Sequence, residues 1–476
     1  MRSTPHRGPL LLALAGALLS LATSCSEAPA DGLTVPKHVF LISLDTLRYD
    51  HVGFNGYDRP TTPFLDTLAE RGVVFDDHIA NSNCTLPSHA SMLTGLLPPS
   101  HGVRITTEVG DPLHVLSPSI VTVAERFQEA GYATAAFTAH AAWLNEEYGF
   151  DQGFDHFETG WREAPETIER FLALVDERQA ERSFNFLHFF DIHSDDGNQD
   201  PRHIYNADPD HLASFVGSVP PDFTGRNASG SSRASSWLAI QGPHNPLPES
   251  HRQYLINSYD AGIATLDRHL ERLFGELEQR GILDESLLVI TSDHGESMGE
   301  HGTYLHEGFR TEVSQVPLLV VLPPAFEVAP HRVAARTQST DLVPTMLELC
   351  RLDPVGETRS LTDAILFGDG LDDSKAMFES NVLFGTDDVG DYVVVRTGSY
   401  PVFIDKDQDP RMTVNLTDDP DYVAEHKDRI VAAETVLLEI LEKAKRRNAL
   451  ILEGVDLGEA TLDPARVAEL QQLGYL

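Results

Sequence analysis

Three short stretches restrict what this chain can fold into more than anything else in it. His38–Asp45 reads HVFLISLD, Phe184–His193 reads FNFLHFFDIH, and Leu287–Gly295 reads LLVITSDHG. Each is a nearly continuous apolar run that stops at an acid, a histidine or both. Such runs fit strands buried on both faces, and those strands belong to parallel sheets covered by helices. YATAAFTAH (132–140) and VPLLVVLPP (316–324) are further strand candidates. Helical periodicity lies between them. It is clearest where Leu255, Tyr259, Ile263, Leu266, Leu270, Leu273 and Leu277 step by fours and threes along one face. The alternation predicts an α/β fold with a mainly parallel sheet flanked by helices. Ligands of such sheets bind beyond the carboxyl ends of the strands, which is where these acids and histidines fall.

Charge narrows the function. The 476 residues carry 35 Lys and Arg against 73 Asp and Glu, a formal charge of −38. A surface this acidic repels nucleic acid and anionic lipid, so no nucleic-acid partner is expected. It repels anionic substrates as well, so an anion site here must carry its own positive charge, such as metal ions. The three cysteines, Cys25, Cys84 and Cys350, are too few for a disulfide framework.

The chain begins with an address. Arg2 and Arg7 flank the start of an apolar run, Pro9–Ala22, that is too short to span a bilayer. Residues 1–24 read as a signal peptide. The run ends in LATSC, which resembles the lipobox of bacterial lipoproteins. Cys25 would then be the lipidated first residue, with 25–36 a polar tether. The expectation is an extracytoplasmic, membrane-anchored protein in the periplasm or at the cell surface. A plain secretory peptide cleaved nearby is the alternative. Asp195–Pro248 is rich in Pro, Gly, Ser, Asn and Asp and reads as an irregular insertion beside the strand-end site. Beyond about residue 370 the pattern changes. YVVVRTGSYPVFID (392–405) resembles a hairpin, and Arg429–Arg447 is an amphipathic helix with basic residues in its last turn. These predict a small C-terminal α+β subdomain over 371–476.

Taken singly, each strand-end residue has a bland reading: an acid after a strand is usually a cap, and DHG a turn. Asp45, Asp191, His193, Asp293, His294 and His306 form a set that is harder to dismiss. Mixed Asp and His ligands suit divalent ions of the zinc or manganese type. Clustered acids also repel one another unless a cation lies between them. A separate stretch, NCTLPSHASMLTG (83–95), holds Cys84, Thr85 and Ser88, each a potential nucleophile.

LISLDTLRYDHVG, TLPSHASMLTG, LLVITSDHGESMGEHG, STDLVPTMLEL and the terminal LQQLGYL resemble, in this order, the sulfatase-like members of the alkaline phosphatase superfamily. The resemblance runs from about residue 37 to the C-terminus and implies a sulfatase-like catalytic domain over 37–370. Formylglycine sulfatases carry Cys-x-Pro-x-Arg. In that register this chain has Thr85-Leu86-Pro87-Ser88-His89, so Cys84 lies one residue too far from Pro87. The resemblance therefore puts Thr85 in the nucleophile slot, as in the phosphodiesterase and phosphoethanolamine-transferase branches. It implies that Asp45, Thr85, Asp293 and His294 hold a metal, zinc or manganese, with calcium or magnesium as further options. His306 takes the place of a histidine that can bind a second zinc, Asp191 is counted among the metal residues, and His193 matches a histidine that contacts the substrate oxyanion or the second metal. His89 stands at the basic position of the nucleophile motif, and the HGVR loop at His101 buttresses the site. Two departures weaken a sulfate-ester reading. The GKWH signature is replaced by FTAHAAWL, with His140 its polar member, and the second acid of an Asp-Asp pair is Thr46. The implied function is a metal-dependent hydrolase of sulfate or phosphate esters (mono-, di- or phosphonate), acting through a covalent intermediate on Thr85. The substrate would be an anionic ester, such as a glycan or lipid head group. The alternatives are a phosphoethanolamine-type head-group transferase and a non-catalytic binding lipoprotein that kept the fold.

Overall fold

The computed structural model describes residues 35–453, apart from 106–113, 140–141, 195–203, 224–245, 307–309, 369, 372–375, 381–382, 388–391, 397–401, 406–412, 416–419 and 426. The expected signal peptide, Cys25, His140 and most of the 195–248 insertion lie outside the described residues.

The apolar runs are strands of one eight-stranded sheet. In chain order these are β1 His38–Leu44, β2 Val73–Phe75, β3 Ala133–Thr138, β4 His156–Thr159, β5 Ser183–Phe189, β6 Ser286–Thr291, β7 Leu318–Val321 and β8 His331–Val333. Their order across the sheet is β8-β2-β7-β6-β1-β5-β3-β4. β1 is central and pairs in parallel with both β5 and β6. β3 and β4 extend the parallel set, whereas β7 runs antiparallel to β6 and β2.

β1 shows why the run is unbroken. Every residue in it is buried. Val39 and Leu41 point into one core layer, with Leu86, Ala90 and Leu93 of helix α1 (Thr85–Thr94). Phe40, Ile42 and Leu44 point into the other, with Leu266, Leu270 and Leu273 of the long helix Glu249–Gln279. Each such side chain contributes roughly 1.5–3 kcal/mol through burial, so neither face tolerates a charge.

The sheet changes character at its carboxyl edge. Ser43 of β1 stands opposite His188 of β5 and Thr291 of β6, and Thr138 of β3 stands opposite His188. A row of polar side chains thus crosses four adjacent strands, two residues before Asp45 and Asp293.

Toward the C-terminus the structure has a five-stranded antiparallel sheet, Ala376–Ser380, Leu383–Asp387, Tyr392–Arg396, Val402–Asp405 and Thr413–Asn415. Helix Lys427–Ile451 follows. Near the end of that helix, the Asn448 side-chain amide donates to the Ser100 carbonyl at 2.9 Å, just past α1. Among the described residues, no helix is long and apolar enough to cross a membrane.

Candidate active site

α1 begins at Thr85, with Cys84 as an extended N-cap and left-handed Gly95 (φ 67°) closing it. The Ser88 amide is taken by the Cys84 carbonyl at 3.1 Å, and Pro87 has no N–H to leave unpaired. The amides of Thr85 and Leu86 remain at the helix mouth, where the helix dipole favours an anion.

Next to that mouth lie Asp45, Asp293 and His294. One ligand atom from each falls within 4.8 Å of the others, and all three residues are buried. Asp45 follows β1 directly, while Asp293 and His294 follow β6. The Thr85 hydroxyl donates to Asp45 Oδ2 at 3.3 Å. The Cys84 thiol is directed to Asn83 Oδ1 at 3.5 Å instead. Thus the hydroxyl of the NCT sequence, and not the thiol, adjoins the cluster.

The donor set fits a divalent cation. His294 Nδ1 donates to the Gly295 carbonyl at 3.0 Å, because a carbonyl can only accept. The proton is therefore on Nδ1, and Nε2 presents a lone pair, the arrangement that second-sphere carbonyls impose on metal-binding histidines. Nε2 lies 3.4 Å from Asp293 Oδ2. Both atoms are buried and have no hydrogen-bond partner among the described residues. Burial pushes His294 down to about 4 and also lowers His89, so neither histidine is cationic at neutral pH. Two buried carboxylates beside neutral imidazoles lack a counter-charge, which a cation would provide.

A second layer holds these groups. His188 donates from Nε2 to Asp45 Oδ2 at 3.0 Å. His89 donates from Nδ1 to the Thr85 carbonyl at 2.8 Å and accepts the Ser43 hydroxyl at Nε2 at 2.9 Å. His89 thus sits behind Thr85, 3.6 Å from Asp293 Oδ2. The Ser88 hydroxyl donates to the Asp293 carbonyl at 2.7 Å. Thr46, where the family has an acid, does not turn toward the cluster. Its hydroxyl donates to the Ile192 carbonyl, its amide to Asp293 Oδ1, and its carbonyl accepts Tyr259. These bonds hold Thr46 at φ 61°, a conformation costly for a β-branched residue and typical of functional sites.

The remaining candidates separate. The His306 ring lies 4.7 Å from His294, and the His193 ring 5.6 Å from His306, measured between centroids. Both therefore border the cluster, though neither belongs to the three-ligand group. Asp191 does not join it either. Its Oδ1 accepts the Ala164 amide at 2.8 Å, at the start of helix Ala164–Arg178, where an acid stabilises a helix N-terminus. His101 accepts from the Val103 amide and pairs with the Ser91 hydroxyl, buried behind α1. His188 escaped the sequence reading. Its signal was a lone imidazole inside the apolar run FNFLHFF, a position that only a polar partner across the sheet makes tolerable.

A family model for sulfatases matches residues 37–352, more than half of the chain. The chain belongs to the sulfatase family. Membership in that family makes it a sulfuric ester hydrolase by class. The choline-sulfatase of Rhizobium meliloti is 24% identical over 70% of this sulfatase and 71% of its own length. Mouse steryl-sulfatase is 37% identical over 137 residues, which cover only 28% of this chain and 22% of that one. Among solved structures, the phosphonate monoester hydrolase of Agrobacterium radiobacter superposes with a TM-score of 0.66. It is 19% identical over 86% of this chain and 96% of that one. These structural neighbours share the alkaline phosphatase-like fold of the sulfatase family.

Proposed function

We propose that this sulfatase-family chain is a metal-dependent hydrolase of sulfate or phosphonate monoesters, with Thr85 as its nucleophile. One observation carries the reading: the Thr85 hydroxyl points at Asp45 Oδ2, within the Asp45–Asp293–His294 cradle. Asp45, Asp293 and His294 would hold the ion, with Thr85 completing the set. A divalent cation there supplies Lewis-acid polarisation and lowers the pKa of a bound hydroxyl.

The chain's own groups do the rest. Asp45 Oδ2 receives the hydroxyl proton of Thr85, and His188 steadies that carboxylate. The Thr85 and Leu86 amides face the ester anion at the mouth of α1. Thr85 Oγ1 attacks sulfur or phosphorus and the ester oxygen departs. His193, in the turn that follows β5, gives the leaving oxygen its proton. Water then attacks the modified Thr85 and gives a proton to His193, the acid is released, and Asp45 returns the hydroxyl proton to Thr85. His306 borders both His294 and His193 and would serve a second ion or the leaving group. The reading extends to an extracytoplasmic lipoprotein anchored through Cys25, which would expose the site to esters outside the cell.

The test compares wild type with Thr85→Ala on aryl sulfate and phosphonate monoester substrates. Loss of turnover with metal still bound supports the reading. Full turnover by Thr85→Ala would refute it. Accumulation of modified Thr85 that clears only when an alcohol acceptor is added would favour a transferase instead.

A further inference from the structure

The described residues hold one large aromatic side chain whose exposure is out of keeping with its place. Trp161 is 45% exposed, yet it stands two ring contacts from His193. Its ring meets Phe190 edge-on, at 5.8 Å and 65°. Phe190 in turn stacks on His193 at 4.2 Å and 17°. With His193 adjoining His306 and His306 adjoining His294, a line of five rings runs from the metal cradle to the surface.

The placement is built. Trp161 lies in the turn between β4 and helix Ala164–Arg178. The Asp191 carboxylate accepts the Ala164 amide, and so ties that turn to the segment carrying Phe190 and His193. The charges around it are already matched. Arg162 pairs with Glu158 at 2.7 Å, and Arg170 with Glu158 and Glu166. The two guanidinium charges are thus balanced by the Glu158 and Glu166 carboxylates, and the chain as a whole carries −38.

We infer that Trp161 and Phe190 form the leaving-group subsite, and that it takes an uncharged ring. The occupant is a ring with an apolar face, aryl or saccharide, on an ester whose single negative charge is the reacting group. Indole offers a wide, rigid apolar face for such a ring. The acidic surroundings disfavour a leaving group with further anions. This rests on the proposed ester hydrolysis. Asp191, read from sequence as a ligand, acts here as a positioning residue for Trp161.

Two measurements test the subsite separately from the chemistry. The first is calorimetric binding of 4-nitrophenyl sulfate, glucose 6-sulfate and methyl sulfate to metal-loaded Thr85→Ala protein, with and without Trp161→Ala. Ring esters should bind more tightly than methyl sulfate. Removing the indole should weaken ring binding about three- to tenfold, as expected for one stacking contact. Trp161→Phe should recover part of that. The second is turnover by Trp161→Ala in the Thr85 background, where the preference for ring over methyl esters should shrink by a similar factor, through KM. Ring binding that requires Trp161, without turnover in any background, keeps the subsite and discards the hydrolase. Turnover whose ring preference ignores Trp161 keeps the hydrolase and overturns the subsite. A disulfated saccharide bound more tightly than a monosulfated one would also overturn it.

Discussion

The Asp45–Asp293–His294 cradle and the aromatic wall of Trp161, Phe190 and His193 are made differently. The cradle comes from strand ends and one helix start. Asp45, Asp293 and His294 are 0% exposed, and each has a neighbour fixing its orientation. The wall comes from turns: Trp161 precedes a helix, Phe190 and His193 follow β5, and His306 follows a two-residue strand. On the proposed function the chemistry would rest on the rigid sheet edge, and selectivity on the connections, as is general for α/β enzymes.

That contrast can be broken most forcefully at the cradle. Thr85→Ala should lower kcat/KM by roughly a thousandfold or more, the usual cost of removing a nucleophile. Thr85→Ser should keep most of the rate. Equal rates for all three proteins would remove Thr85 from the chemistry. A smaller loss is expected one layer out. His188→Ala frees Asp45 to turn, and second-sphere changes of this kind cost about 10- to 100-fold in metal affinity. His188→Gln, which can still donate, should recover part of it. Metal content measured after dialysis decides the point, and unchanged content in His188→Ala would make that residue merely structural.

Metal removal gives a stability version of the same comparison. Chelation leaves Asp45 and Asp293 buried without a counter-charge, and it also removes ligand stabilisation. At a free metal concentration a hundred times Kd, that stabilisation is about 2.7 kcal/mol. The melting temperature should fall with chelator, and much less so in Asp293→Asn, which no longer needs the ion. An equal fall in both proteins would contradict the cradle.

Acid should act through two buried histidines, His78 and His101. Burial pushes both His78 and His101 down to about 3, whereas an unfolded histidine titrates near 6.5. The folded state thus prefers the neutral form. Stability from these groups is full above about pH 6.5 and is lost as pH falls toward 3, at roughly 1.4 kcal/mol per histidine per pH unit. His101→Asn should flatten the pH dependence of denaturant unfolding by one proton; an unaltered slope would show that His101 titrates normally. The smallest effect is expected at Cys84. Cys84→Ser should leave the rate within about twofold, since the thiol points to Asn83 rather than into the cradle.

What could be read before any coordinates follows the same division. Asp45, Asp293 and His294 were legible because a buried parallel strand announces itself as an apolar run, and its first polar residues must sit at the edge. Thr85 was legible only through the spacing to Pro87. The same rule over-reached at Asp191. It ends a strand just as Asp45 does, but a helix start lies against it and takes the carboxylate. His188 shows the opposite failure. It lies within the run, where pattern reading expects only packing, and its role depends on the register that sets it beside Ser43. Trp161 carries no periodic signal, because a turn has none. The antiparallel direction of β7 was likewise hidden, since an apolar run has no sign.

The central claim is that the alcohol at position 85 does the work that an oxidised cysteine does in formylglycine sulfatases. The most direct measurement is peptide mass spectrometry on protein quenched during turnover of an aryl sulfate or phosphonate ester. The account predicts a sulfo or phosphono group on Thr85, beside an intact Cys84 thiol. An aldehyde at residue 84, with Thr85 unmodified, would contradict it.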